Sequence, residues 1–223
     1  PLFFKRPASL GHFMIQFDVS GILHPAVFVT RFPTDLGSFG EDRPWGDLER
    51  ACAAAPVERS EELRGAVRAL LRAGGHKPSG RGKPSSEYLV RAVEKGGLPV
   101  INLAVDACNL VSFQSGLPMS VVDLDKAEAP FTVCLGEPDT SYVFNLSDQT
   151  IRLDGLLCLL DAQGPCANAV KDSQRTKTSE ATLATCSILW GPASHAEHVE
   201  STVAWYRELL ESAGATTERL QPQ

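Results

Sequence analysis

A thirteen-residue segment with an unusual density of polar side chains, residues 170–182, offers the first candidates for chemistry. It lies between two apolar stretches and carries three cations, two acids and six hydroxyl or amide side chains. Asp172 is a candidate to orient a water molecule, and Arg175 and Lys177 are candidates to bind phosphates or an oxyanion. A long exposed hairpin loop would have a similar composition, so both interpretations stay open at this point.

A second polar set lies in residues 100–126, and buried polar groups in such a set must be satisfied or functional. Its members are Asn102, Asp106, Asn109, Ser120, Asp123 and Asp125. Asp123 is a candidate to orient water or bind an ammonium group, and Asn109 and Ser120 are candidates to supply hydrogen bonds. An apolar wall that includes Phe113 would receive an apolar substrate side chain.

The sequence lacks the usual arrangements for covalent or metal catalysis. It has no Gly-x-Ser-x-Gly motif, and no cysteine has an evident histidine partner, so attack by water is predicted. His195 and His198 are three residues apart with Glu197 between them, whereas zinc proteases use His-Glu-x-x-His. We therefore predict no metal site and no nucleotide cofactor.

The elements around the second polar set are predicted from local signals. Val100–Val105 resembles a short buried strand, and Asp106 follows where a helix N-cap is expected. Gly116 and Pro118 are predicted to end that helix, and Met119–Leu124 to form the next strand. Further strands are predicted at Phe131–Leu135, Tyr142–Leu146, Leu156–Asp161 and Leu183–Trp190.

The remaining elements complete an α+β fold class. Phe13–Val19 alternates apolar and polar residues, and Ala26–Phe32 is predicted to pair with it in a hairpin. Helices are predicted at Asp47–Ala54, from the cap Ser60 to Gly74, at Glu87–Lys95 and from the capping box Ser194–Glu197 onward. We expect a single domain over residues 1–223, with residues 1–75 as an N-terminal extension packed on it.

The chain is acidic overall, with a net charge of −6, but it has one basic connector. From Arg72 to Lys95, six basic residues stand against two acidic ones, which leaves a local charge of +4. The segment is either a solvated linker or a contact for nucleic-acid phosphates. The candidates for phosphate contact are Lys77, Arg81, Lys83 and Arg91, together with Lys171 in the later polar segment.

Six cysteines occur without any Cys-x-x-Cys pair, and several lie inside apolar stretches. This pattern favours buried free thiols in a reducing cytosol over a set of disulfides. No apolar stretch approaches the roughly 20 residues of a membrane span. We therefore predict a cytoplasmic protein with no membrane partner.

The motifs in the central stretch carry a resemblance to a known family. The segments Val105–Val111 (VDACNLV) and Gly116–Lys126 (GLPMSVVDLDK) resemble the tRNA-editing B3/B4 domain in the beta subunit of phenylalanyl-tRNA synthetase. That family shows a similar Val-Asp-x-x-Asn, then Gly-x-Pro, then an Asp-containing strand. The similarity extends from about Arg81 to about Gly191.

The resemblance implies a β-sandwich-like arrangement of sheets with flanking helices, as in the synthetase editing domain. It implies a free-standing enzyme that deacylates mischarged aminoacyl-tRNA, with tRNA as its partner. Where the family has a glutamate that recognises the tyrosine hydroxyl, this chain has Gln174, and where the family often has histidine it has Ser120. A substrate amino acid other than tyrosine is therefore expected, bound by a set that includes Gln174 and Ser120.

Two other functions stay open from the sequence. The first is a non-catalytic module that binds tRNA or a free amino acid, which the missing histidine and glutamate would favour. The second is a hydrolase for small molecules, which would have no need of the basic connector. The sequence leaves the oligomeric state and the identity of the amino acid open.

Overall fold

The computed structural model describes residues 15–19, 21–24 and 26–221, and these have an α+β fold. The helices are α1 (Leu48–Ala53), α2 (Glu61–Arg72), α3 (Ser85–Val93), α4 (Leu103–Ser115) and α5 (Ala196–Ser212). The strands are β1 (Ile15–Phe17), β2 (Leu23–His24), β3 (Val27–Arg31), β4 (Met119–Asp123), β5 (Phe131–Leu135), β6 (Ser141–Val143), β7 (Thr150–Arg152), β8 (Leu157–Asp161), β9 (Gly164–Asn168), β10 (Ala184–Leu189), β11 (Gly191–Pro192) and β12 (Thr216–Leu220).

Two four-stranded sheets form the framework of the described chain. One has the strand order β1-β5-β8-β9 and the other the order β12-β3-β10-β4. The pairing of β1 with β5 is parallel, and the other pairings within these two sheets are antiparallel. The sheets approach each other at β4 and β9, and two short ribbons, β2–β11 and β6–β7, lie outside them.

Helix α4 lies in the core, where it packs against α3, α5 and β4. Ten of its thirteen residues are buried, which is why its sequence shows no clear polar face. A single cluster of buried apolar side chains runs from Ile15 to Leu220 and includes members of α1, α2, α4 and α5. The α+β class predicted from the sequence is confirmed.

The start of α4 differs from the prediction. The predicted strand at Val100–Val105 is wrong, since Val100 is 68% exposed and the helix begins at Leu103. The side chain of Asn102 accepts a hydrogen bond from the Val105 N–H at 3.0 Å and is the N-cap. Asp106 lies one turn later, where it forms an ion pair with Arg43.

The end of α4 and the next strand agree with the prediction. Gly116 is the C-cap and has a φ of 79°, a left-handed conformation that glycine adopts without strain. Met119–Asp123 then forms β4, close to the predicted Met119–Leu124. Local backbone chemistry therefore determines this part of the fold.

The predicted N-terminal hairpin is wrong. β1 pairs with β5, and β3 lies between β12 and β10, so the two segments belong to different sheets. Each finds its partner far along the chain, which a search for adjacent strands cannot reveal. Two residues of the predicted first strand, Phe13 and Met14, lie outside the described residues.

The predicted helix caps have mixed outcomes. Asp47 and Ser60 cap α1 and α2 as predicted, each accepting a backbone N–H with its side chain. The capping box predicted at Ser194 is wrong, because its hydroxyl bonds to the ring of His195 and α5 begins at Ala196. A short 3-10 turn precedes α5 and displaces the serine from the cap position.

All six cysteines of the sequence lie in the described chain and are free thiols, and four of them are buried. Burial raises the pKa of Cys158 and Cys186 to about 12. In the part of the chain that the structure covers, none of the helices combines the length and apolar character required to span a bilayer.

Candidate functional site

The polar cluster at the meeting of the two sheets joins residues from both of the polar sets in the sequence. Ser120 lies in β4, Asn168 ends β9, and Asp172 lies in the loop that follows. The hydroxyl of Ser120 contacts the carbonyl oxygen of Asn168 at 3.2 Å and the carboxyl group of Asp172. The indole N–H of Trp190 donates to the same hydroxyl oxygen at 2.9 Å. Ser120 is only 1% exposed, so these contacts enclose its hydroxyl.

Asn168 organises the loop around this cluster. Its side-chain oxygen accepts the backbone N–H groups of Val170 and Lys171, both at 2.8 Å, and its side-chain amide donates to the hydroxyl of Tyr142 at 2.5 Å. Its backbone N–H points to the carboxylate of Asp172 at 3.3 Å. Asn168 is not among the residues predicted from the sequence, although an asparagine directly after an apolar strand is a typical turn signal.

The electrostatics of the cluster centre on Asp172. The residue is partly exposed, but its carboxyl group is surrounded by protein, and this burial raises its pKa from the ordinary 3.8 to about 7. The hydroxyl of Ser120, the N–H of Asn168 and the charge of Lys177 oppose the rise. Burial and the neighbouring Asp172 also raise the pKa of Tyr142 well above its usual value. A carboxyl group with a pKa near 7 can accept or donate a proton at neutral pH.

Lys177 links the loop to the β6–β7 ribbon. Its ammonium group donates to the carbonyl oxygen of Phe144 at 2.6 Å, and its charge acts on Asp172. The ammonium group of Lys126 donates to the carbonyl oxygen of Lys177 at 2.6 Å. Lys177 is therefore held beside the carboxyl group of Asp172, a candidate predicted from the sequence.

Two other candidates, Asp123 and Arg175, hold the loop in place. Arg175 forms a bidentate ion pair with Asp161, with both N···O distances at 2.8 Å. Asp123 is 1% exposed and accepts the hydroxyl of Thr182 at 2.7 Å and the N–H of Asp125 at 2.9 Å. These contacts hold both side chains against neighbouring parts of the chain.

The remaining predicted site residues, which are the catalytic candidate Asn109 and the substrate-binding candidates Gln174 and Phe113, make few polar contacts in the structure. Asn109 lies in α4, one residue after Cys108. Burial and the negative charge of Asp172 raise the pKa of the Cys108 thiol, which places this turn of α4 near Asp172. Gln174 opens a 3-10 turn, and neither its amide nor that of Asn109 makes a hydrogen bond within the described chain. Phe113 is not brought to the cluster by any contact; its ring packs under the guanidinium of Arg59 at 4.4 Å.

The predicted phosphate contacts divide into two places. Burial lowers the pKa of Lys171, and the nearby positive charge of Arg81 lowers it further. Lys83 and Arg91 line a groove of about 560 Å³ between α2 and α3. The side chain of Lys77 makes no contact that connects it to either place within the described residues. The structure thus brings Arg81 to the polar cluster through Lys171.

The described residues contain no group of three or more His, Cys, Asp or Glu side chains arranged to hold a metal ion. His198 bonds through its ring to the carbonyl oxygen of Ser115 at 2.9 Å, and burial lowers its pKa. His195 contacts the hydroxyl of Ser194.

Comparisons with known proteins give a family match and matches among solved structures. The family model described as B3/4 domain matches residues 75–190. Among solved structures, an N-terminal fragment of the phenylalanyl-tRNA synthetase beta subunit from Pyrococcus horikoshii matches with a TM-score of 0.48 and 8% identity. The match covers 92% of this chain and 50% of that chain, so this chain spans half the length of the synthetase fragment. A comparison with curated proteins finds no match.

Proposed function

The chain belongs to the B3/4 domain family, and we propose that it hydrolyses the ester bond of a mischarged aminoacyl-tRNA. The observation that carries the proposal is the Asp172 carboxyl group, held by Ser120 and Asn168 beside Lys177. A carboxyl group of this kind can activate water at neutral pH, which ester hydrolysis requires. The adjacent Lys171 and Arg81 supply positive charge for an RNA substrate in a protein of net charge −6.

In the proposed reaction, ionised Asp172 accepts a proton from a water molecule as the water oxygen attacks the carbonyl carbon of the ester. The C–O bond to the ribose then breaks, and protonated Asp172 returns the proton to the departing ribose oxygen. The products are the free amino acid and the uncharged tRNA. Lys177 and Asn109 are assigned to the oxyanion that forms on the former carbonyl oxygen.

The proposed roles of the other residues follow from their contacts. Ser120 orients the Asp172 carboxyl group through its hydroxyl, and Trp190 holds that hydroxyl in place by donating a hydrogen bond to it. The side-chain amide of Gln174 has no hydrogen-bond partner in the described chain and is assigned to bind the side chain of the substrate amino acid. A neutral amide offers a phenolic hydroxyl a weaker bond than a carboxylate does, so a substrate other than tyrosine is proposed. A cytoplasmic location belongs to the same proposal, since tRNA is the partner.

A non-catalytic module that binds tRNA or a free amino acid is the second candidate. The observation that favours it is the position of Ser120, which is 1% exposed and bonded to three protein groups. A side chain so enclosed cannot bind substrate directly, and the family often has histidine at this place. A measurement of ester hydrolysis distinguishes the enzyme from the binding module.

The test is a deacylation screen with a panel of mischarged tRNAs, with free aminoacyl esters as the small-molecule control. We expect the protein to deacylate at least one mischarged tRNA, and Asp172→Asn to slow this by about a hundredfold or more. The matched control is Asp148→Asn, which alters an exposed carboxylate whose φ of 54° asparagine tolerates. If no tRNA in the panel is deacylated while tRNA still binds, the enzyme proposal fails and the binding module replaces it. Hydrolysis of the free esters alone would point to a small-molecule hydrolase.

A further inference from the structure

A group of two cations and two aromatic rings lies beside the polar cluster, and we call it the aromatic–cation cluster. It consists of Arg81, Tyr88, Phe144 and Lys171. The ammonium group of Lys171 lies 4.0 Å from the centroid of the Phe144 ring and 6.0 Å from that of Tyr88. Arg81 is near enough for its charge to act on both Lys171 and Tyr88. The four residues come from the connector, α3, the β6–β7 ribbon and the loop after β9.

Hydrogen bonds hold each part of the aromatic–cation cluster in position. The hydroxyl of Tyr88 donates to the carbonyl oxygen of Gly80 at 3.2 Å, which fixes the connector residue next to Arg81. The carbonyl oxygen of Lys171 accepts the hydroxyl of Tyr142 at 2.6 Å. The carbonyl oxygen of Phe144 accepts the ammonium group of Lys177 at the same distance. The rings are therefore preorganised, which reduces the entropy that a ligand must lose on binding.

The two cations are not neutralised within the part of the chain that the structure describes. Neither Lys171 nor Arg81 forms an ion pair with a carboxylate there, whereas Arg43, Arg68 and Arg175 each do. Two like charges held together repel each other, and a bound anion would relieve that repulsion. The aromatic–cation cluster therefore favours a ligand that carries negative charge.

Aromatic rings next to unpaired cations are the features with which proteins bind single-stranded nucleic acid. Bases stack on the rings, and phosphates contact the cations. Duplex RNA is recognised differently, through the shape of its minor groove and its backbone, and its bases are not free to stack on protein rings. The composition of the aromatic–cation cluster thus fits an unpaired strand better than a duplex.

We propose that the aromatic–cation cluster binds the single-stranded 3′ end of an RNA, with a base on the rings of Phe144 and Tyr88 and phosphates on Lys171 and Arg81. The choice of RNA rests on the proposed function. Lys171 immediately precedes Asp172 in the chain, so a strand bound here passes next to the carboxyl group. The 3′ terminus is the end assigned to that position, because it carries the ester in the proposed reaction.

The test measures binding of a short, uncharged single-stranded RNA that ends in CCA, by fluorescence anisotropy over a range of salt concentrations. We expect Phe144→Leu to weaken binding about tenfold, because a stacking partner is lost. Lys171→Gln should lower the slope of log affinity against log salt by about 0.7 for each phosphate contact removed. Lys95→Gln, which removes an exposed charge in the turn after α3, is the matched control and should change both measurements less. Phe144→Tyr keeps the ring and should bind as the unchanged protein does.

Equal binding of the unchanged protein, Phe144→Leu and Lys171→Gln would overturn the inference, as would tighter binding of duplex RNA of the same sequence. Circular dichroism shows whether Phe144→Leu folds. If this variant does not fold, the binding measurements with Lys171→Gln alone test the inference. The probe carries no amino acid, so this experiment is independent of hydrolysis. A protein that binds the probe through these residues but deacylates nothing would refute the proposed function and support the inference. Equal deacylation of tRNA by the unchanged protein, Phe144→Leu and Lys171→Gln would refute the inference and leave the proposed function standing.

Discussion

Replacement of Asp172 by asparagine tests the electrostatic basis of the site without a substrate. Burial raises the pKa of this carboxyl group from 3.8 to about 7 in the folded protein. The folded chain therefore binds the proton more tightly than the unfolded chain does. The contribution of Asp172 to stability is greatest below about pH 4, falls between about pH 4 and pH 7, and is constant above that. Because one pKa unit is worth about 1.4 kcal/mol, the total fall is about 4 kcal/mol.

The measurement is the free energy of unfolding in urea at several pH values between 4 and 8, for the unchanged protein and for Asp172→Asn. Other carboxylates change stability in the opposite direction, as Asp161 does, since Arg175 holds its pKa below the usual value despite burial. The difference between the two proteins removes these contributions. The new amide also faces Ser120 and the N–H of Asn168, but any cost of these contacts is independent of pH.

We expect the variant to gain about 4 kcal/mol relative to the unchanged protein between pH 4 and pH 8. Asp148→Asn, which changes an exposed carboxylate, should show a much smaller change. In parallel, the kcat/KM of deacylation should rise with pH to a plateau above about pH 7, because the proposed base must be ionised. A stability difference that does not vary with pH would refute the assignment of a buried, protonated carboxyl group at this position.

Three further predictions follow from specific residues. Gln174→Glu should raise activity on tyrosyl-tRNA by roughly tenfold, because a charged hydrogen bond to the phenol replaces a neutral one; a fall in a deacylation assay would contradict the placement. Gly155→Ala should destabilise the protein by more than Gly75→Ala in thermal unfolding. Both glycines have a positive φ, but a Cβ at 155 would lie 1.8 Å from the carbonyl oxygen of Gly74, whereas a Cβ at 75 meets open space. Thiol titration should detect few reactive cysteines before denaturation and all six afterwards without reductant, because most are buried; a missing thiol would indicate a disulfide.

The parts of the fold that local chemistry determines could be predicted from the sequence. Gly116 ends α4 because only a residue without a side chain adopts that backbone conformation freely, and Ser60 caps α2 through its own hydroxyl. The strand β9 was missed because Gly164 and Pro165 resemble turn residues, and it is the pairing with β8 that makes them part of a strand. The edge strand β12 was missed because its exposed side chains are polar.

The candidate site was only partly predictable for a related reason. Asp172 and Ser120 were both singled out, but their contact depends on β4 and β9 lying side by side, which no spacing in the sequence encodes. Arg175 was assigned to the substrate because an arginine in a polar loop resembles a phosphate ligand. Its partner Asp161 lies at the end of β8, fourteen residues earlier, and only the folded loop shows the pair.

The segments outside the matched family region help to hold the site. Strand β10, which lies within that region, has β4 on one side and β3 on the other, and β12 extends the sheet beyond β3. Phe28 in β3 packs edge-to-face on Tyr206 of α5 with ring centroids 5.0 Å apart. Directly after β10, Trp190 donates the hydrogen bond that fixes Ser120. Since β10, the strand that positions Trp190, pairs with β3 from the start of the described chain, and β12 from its end extends the same sheet beyond β3, we propose that residues 1–223 act as one domain.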